Sequence, residues 1–77
     1  MSNKNETFDL FRHRREIGRE IELIRQELNI PVYIMCNTLG IDEPDYYKLI
    51  NGKITPTVFQ LICFIDFTHR PLKALIH

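Results

Sequence analysis

The stretch LGIDEPDYYKLINGK, residues 39–53, holds the punctuation that decides the fold. Gly40 can adopt the left-handed conformation that closes a helix. Asp42 is a helix-capping residue, and Pro44 two positions later is tolerated only in a first turn. Tyr46 and Leu49 are three residues apart and share one helical face. Asn51-Gly52 is a turn signal. The stretch therefore predicts the end of one helix, a tight turn, a helix from Glu43 to about Ile50, and a stop. It also places Asp42, Glu43 and Asp45 together at the start of that helix.

Upstream, PVYIMCNTL (31–39) reads as a second helix entered at Pro31, whose missing N–H does no harm in a first turn. Before it, Leu10, Arg14, Ile17, Ile21, Ile24 and Leu28 recur at helical spacing. That stripe predicts a long first helix over 8–28, with Asn5 or Thr7 as its cap and Asn29 as its left-handed end. Gly18 weakens its middle by up to ~1 kcal/mol relative to Ala. Downstream, TPTVFQLICFIDF opens a fourth helix. Thr57 and Gln60 have the spacing of a capping box, in which two side chains satisfy orphan N–H groups reciprocally. Val58, Leu61, Ile62 and Ile65 are assigned to the core, and Phe59, Cys63 and Phe67 form a second apolar stripe. RPLKALI predicts a short fifth helix. No segment alternates as a strand does. The expectation is an all-α, five-helix single domain over 7–77 with an extended first helix, preceded by a flexible tail over 1–6.

Seventy-seven residues make one small domain with a thin core. Ten basic residues balance ten acidic ones, which argues against a non-specific polyanion binder. Cys36 and Cys63 form no Cys-x-x-Cys pair, and His13, His69 and His77 have no metal spacing. Two buried free thiols in a reducing cytoplasm are the expectation, one disulfide being the lesser alternative, with no metal and no cofactor. MSNKNE lacks a signal-peptide core, and no apolar run approaches the ~18 residues that span a membrane. There is no glycine-rich phosphate loop, no His-Glu-x-x-His and no plausible triad, so no catalytic residue is assigned and an enzyme is not expected.

The ordered set of helices, with a tight turn between the second and third, resembles the lambda-repressor-like, Cro/XRE helix-turn-helix family over about residues 17–76. IGREIELIRQELNI resembles that family's first helix, with Ile17, Ile21 and Ile24 apolar and Arg25 at a frequent arginine position. MCNTLGI resembles the end of its second helix, with Cys36 where a small alanine is usual. YYKLINGK resembles the end of its third helix, and TPT the opening of its fourth. The resemblance implies a bacterial or phage transcriptional regulator that binds double-stranded DNA sequence-specifically as a homodimer. The third helix would enter the major groove, with half-sites about one helical turn apart. Glu43, Asp45, Tyr47, Lys48 and Lys53 are then the candidate DNA-binding residues. Arg12, Arg14, Arg15 and Arg19 are candidates for backbone contacts.

Other residues point to a different partner. Acids at a helix start stabilise it by ~0.3–1 kcal/mol each, yet they oppose phosphate binding. Val32 stands where the family often has a phosphate-contacting Gln. Val32, Tyr33 and Ile34 cannot all face one core, and they suggest an apolar ledge beside the acidic rim. The alternative is therefore a module that binds no DNA and inhibits another regulator by protein contact; a blander option is an oligomerisation domain. The stripe Phe59, Cys63 and Phe67, with Phe8 and Phe11, is the expected dimer surface, because one helix of a monomer needs one apolar stripe; the alternative is that the N-terminal extension, with Phe8, Leu10 and Phe11, folds back over it.

Overall fold

A computed structural model describes residues 9–76. It holds four α-helices: α1 (Arg14–Glu27), α2 (Val32–Leu39), α3 (Glu43–Ile50) and α4 (Val58–Thr68). A 3-10 turn over Lys73–Leu75 follows them. No strand occurs among the described residues. The tail, the caps offered by Asn5 and Thr7, Phe8 and His77 lie outside the described residues.

The first helix begins later than its apolar stripe suggests. The Asp9 carboxylate accepts from the N–H groups of Phe11 (3.0 Å) and Arg12 (3.4 Å). This local side-chain bonding holds Leu10–His13 as turns, an alternative to the helical ladder. Leu10 still packs against the core, but Leu28 at the other end is exposed. Asn29 takes the left-handed conformation at φ 56°, as its position predicts.

Gly40 (φ 70°) ends α2, and Asp42 caps α3 by accepting from Asp45 N–H at 3.0 Å. The α4 capping box is present, with Thr57 and Gln60 bonded reciprocally at 2.9 and 3.0 Å. The fifth segment is corrected to a single 3-10 turn. Nucleating a separate α-helix in so few residues is costly. Instead Leu72 is buried, and the Glu20 carboxylate of α1 accepts from the N–H groups of Lys73 and Ala74, each at 2.8 Å.

The rotation of α4 also differs from expectation. Leu61, Phe64 and Thr68 are buried and Ile65 is half-buried, whereas Val58 and Ile62 face solvent. Gln60 Nε2 donates to the Leu39 carbonyl at 3.2 Å, which turns the Gln60–Phe64 side of the helix toward α2. Thr68 is accommodated in the interior because its hydroxyl donates to the Phe64 carbonyl at 2.8 Å.

Gly18 has a structural role beyond its low helix propensity. A Cβ there would lie 2.2 Å from the Leu49 carbonyl oxygen and 3.0 Å from Ile50 Cα. α1 and α3 thus cross at backbone contact. Ile17, Ile21 and Ile24 of α1 close over Tyr46 and Leu49 of α3, Met35, Cys36 and Leu39 of α2, and Phe64 of α4.

Candidate functional site

The outward face of α3 is where the candidate residues gather. Glu43, Pro44, Tyr47, Lys48 and Asn51 are exposed on it, because Tyr46 and Leu49 take the inward face. The face is polarised along the helix. Its N-terminal end carries Asp42, Glu43 and Asp45, and its C-terminal end Lys48 and Lys53. Lys48 Nζ lies 4.0 Å from Asp45 Oδ1, an exposed i,i+3 pair worth at most a few tenths of a kcal/mol. Asn51, whose Nδ2 donates to the Tyr47 carbonyl at 2.8 Å, extends this face by one turn. Its role as a turn residue hid it in the sequence.

α1 runs antiparallel beneath α3, as the order of their contacts shows. Arg15 lies against Gly52, Gly18 against Leu49, and Glu22 against Tyr46. This direction carries the arginine run to the basic end of α3. Arg14 Nε donates to the Gly52 carbonyl at 2.8 Å, while its Nη1 donates to the Phe11 carbonyl at 2.7 Å. Its guanidinium also stacks 4.0 Å over the Phe11 ring. Arg14 is therefore a clamp between two backbone segments. Arg12 and Arg15 remain exposed. Arg19, one turn along α1, lines a shallow cleft of about 470 Å³ with Arg15, Glu16, Glu20, Lys73 and Ala74.

Beneath the acidic end lies a polar network. Glu22 accepts from Arg25 Nε (2.9 Å) and Nη2 (2.7 Å), from Gln26 Nε2 (2.9 Å) and from the Tyr46 hydroxyl (2.6 Å). Arg25 Nη1 also donates to the Ile30 carbonyl at 2.7 Å. The Arg25 hydrogen bonds hold the Glu22 carboxyl at about 2, against the desolvation that would raise it. Burial pushes the Tyr46 phenol up, and the Glu22 hydrogen bond adds to it. The Cys36 thiol is also raised, first by burial and then by the charges of Glu43 and Asp42, so it is a packing residue and a poor nucleophile.

The proposed apolar ledge is dispersed. Val32 packs against the core, Ile34 is half-buried, and Tyr33 is the outward member, 62% exposed. Phe11 is exposed, but in the corner between α1 and Gly52 under Arg14. Phe59, Cys63 and Phe67 lie on the outer side of α4, with Cys63 half-buried. Among the described residues no group of His, Cys, Asp and Glu could hold a metal ion, and no helix is long and apolar enough to cross a membrane.

Comparison with family models, curated proteins and solved structures gave no significant match, so the reading of this face rests on its own residues.

Proposed function

We propose that this chain is a small cytoplasmic transcriptional regulator of the Cro/XRE helix-turn-helix type, binding double-stranded DNA as a dimer through α3. One observation carries the reading. The Arg14–Gly52 bond docks the arginine turn of α1 on the C-terminal turn of α3, so Arg15 lies against Gly52, the neighbour of Lys53. A basic edge beside an exposed, short, groove-sized helix suits phosphate contacts on either side of base readout. Tyr47 and Asn51 can then reach base edges, and Glu43 can accept from cytosine N4. Asp45 is less suited to reading, since it faces Lys48.

The test is retention of duplex DNA as a function of salt. Up to four phosphate contacts, from Arg12, Arg15, Lys48 and Lys53, give a slope of log affinity on log salt of roughly −3 to −4. Absence of retention at low salt rejects the reading.

A second reading, inhibition of another regulator by protein contact, is favoured by the acidic start of α3. Asp42, Glu43 and Asp45 oppose phosphate there, but complement a basic protein surface. Tyr33, outward on the neighbouring α2, is an aromatic anchor of the kind that dominates such interfaces. In that case Tyr33→Ala removes partner capture while Lys48→Ala leaves it intact.

A further inference from the structure

The shallow cleft of about 470 Å³ lies between α1 and the 3-10 turn that follows α4. Arg15 and Arg19 stand on its α1 wall, one turn and ~6 Å apart along the axis, and Lys73 stands on the wall made by the turn. Among the described residues these three side chains make no ion pair and no hydrogen bond. Glu20 is already committed, since its two oxygens accept from the Lys73 and Ala74 N–H groups at 2.8 Å. The Glu16 carboxylate, also in the lining, has no such bond among the described residues. Helix stability does not account for this arrangement. A cation in the first turn of a helix opposes its macrodipole, as Arg15 does, and like charges four residues apart repel, as Arg15 and Arg19 do.

We propose that this cleft binds a small phosphorylated polyol of the sugar-phosphate class, with Arg15, Arg19 and Lys73 on the phosphoryl group and a hydroxyl of the same ligand donating to Glu16. Charge selects the class. A phosphate monoester carries close to two negative charges at neutral pH and three acceptor oxygens, one for each cation, and guanidinium forks match its geometry. A bare anion would meet Glu16 with no donor between them, whereas a polyol brings hydroxyl donors beside its phosphate.

Size and position agree with that class. Small-molecule sites occupy roughly 300–1,000 Å³, and this cleft lies in the lower half of that range. It adjoins a hollow of about 180 Å³ that shares Glu20 and Lys73 and is walled by Leu23 and Pro71, so a carbon skeleton has apolar surface to lie on. The Glu20 bonds hold the Lys73 backbone against α1, so the third cation is placed by the fold before any ligand arrives. At ~100° per residue Glu20 lies ~200° round α1 from Gly18, the residue that touches α3. The cleft and the outward face of α3 are therefore on different sides of α1, and only Arg15 belongs to both basic groups. The proposal does not depend on α3 binding DNA.

Nuclear magnetic resonance titration of the nitrogen-15-labelled full chain at low salt tests it, with glucose 6-phosphate, inorganic phosphate, glucose and a short DNA duplex as separate probes. Glucose 6-phosphate should shift the Lys73 and Ala74 amides saturably, with a dissociation constant below ~1 mM. Inorganic phosphate should bind about tenfold more weakly, and glucose should leave these amides in place. Absence of a saturable shift with glucose 6-phosphate overturns the proposal. Equal affinity for inorganic phosphate assigns the cleft to the free ion and also overturns it. Tighter saturation of the same amides by the duplex assigns the cleft to the DNA backbone, with the same consequence. Arg19→Gln and Lys73→Gln, both at exposed positions, should each weaken glucose 6-phosphate at least about fivefold while the circular dichroism spectrum is kept. Unchanged affinity in both variants rejects the site. Glu16→Ala supplies a readout that a mere positive patch would not give. It removes a negative charge, yet it should weaken glucose 6-phosphate while inorganic phosphate binds more tightly. Tighter binding of both anions rejects the hydroxyl contact and with it the polyol class. The arms without DNA say nothing of α3, so their failure is distinct from failure of the DNA reading.

Discussion

The Tyr46 hydroxyl donates to Glu22 Oε1 at 2.6 Å and ties the first half of α3 to the middle of α1. Tyr46 is fully buried, so this bond also satisfies the one polar atom that its ring carries into the core. The same carboxylate is gripped by Arg25, which reaches on to the α1–α2 connection through the Ile30 carbonyl. One carboxylate thus fixes where α3 begins relative to both preceding helices.

Tyr46→Phe should keep the fold and lose ~1.5–3 kcal/mol, the usual worth of a hydrogen bond to a charged group. Glu22 retains Arg25 and Gln26, so no orphaned charge is left behind. Urea unfolding followed by circular dichroism measures it. An unchanged midpoint would remove this bond from the energetics of the α1–α3 contact.

Acid stability should follow Glu22. Its folded value of about 2 lies below the ordinary 4.5, chiefly because of the Arg25 hydrogen bonds. The unfolded chain therefore takes up the proton first. The associated stability is fully present above ~pH 4.5 and is lost as the pH falls through 2. Glu22→Gln should be less stable at pH 7 and should flatten this limb. Urea midpoints at pH 7, 4 and 3 compare the slopes, and parallel curves for parent and variant would assign acid loss to other groups.

Gly18→Ala should be more damaging than any propensity scale suggests. In an exposed helix the change would stabilise by up to ~1 kcal/mol. Here the new methyl meets the Leu49 carbonyl at 2.2 Å, and neither backbone can yield cheaply. A loss of at least ~3 kcal/mol is expected, as for severe overpacking. A thermal midpoint at or above that of the parent would show that α1 and α3 separate freely.

Leu49→Ala, at the same crossing, should cost ~2–5 kcal/mol as a buried large-to-small change. In so small a domain that approaches the total stability. A thermal scan reads it directly, and a shift of less than a degree would reject the inward placement of Leu49.

Charge variants on α3 should separate its two ends. Lys48→Ala should reduce the DNA salt slope by about 0.9, the share of one phosphate contact. Glu43→Gln with Asp45→Ser should strengthen non-specific binding, since Asp42 still caps the helix and two repulsions are gone. Filter retention at several salt concentrations measures both. No change in either variant would move the DNA contacts off α3.

Local chemistry made α2, the Gly40 turn, α3 and the start of α4 legible in the sequence alone. Gly40, Asp42, Thr57 and Gln60 act as caps within a few residues of themselves, and these capping bonds depend on no distant partner. The sequence likewise determined the polarity of α3, acids first and lysines after. The rest was decided by tertiary structure. Which apolar stripe of α4 turns inward depends on Gln60 reaching the Leu39 carbonyl, a contact that spacing does not encode. The start of α1 is set by Asp9 and by Arg14 clamping Gly52 across the domain. Gly18 reads as a weakness in one helix until a second backbone lies against it. Periodicity reports how much apolar surface a helix carries, whereas the direction of burial is chosen by the neighbours that pack on it.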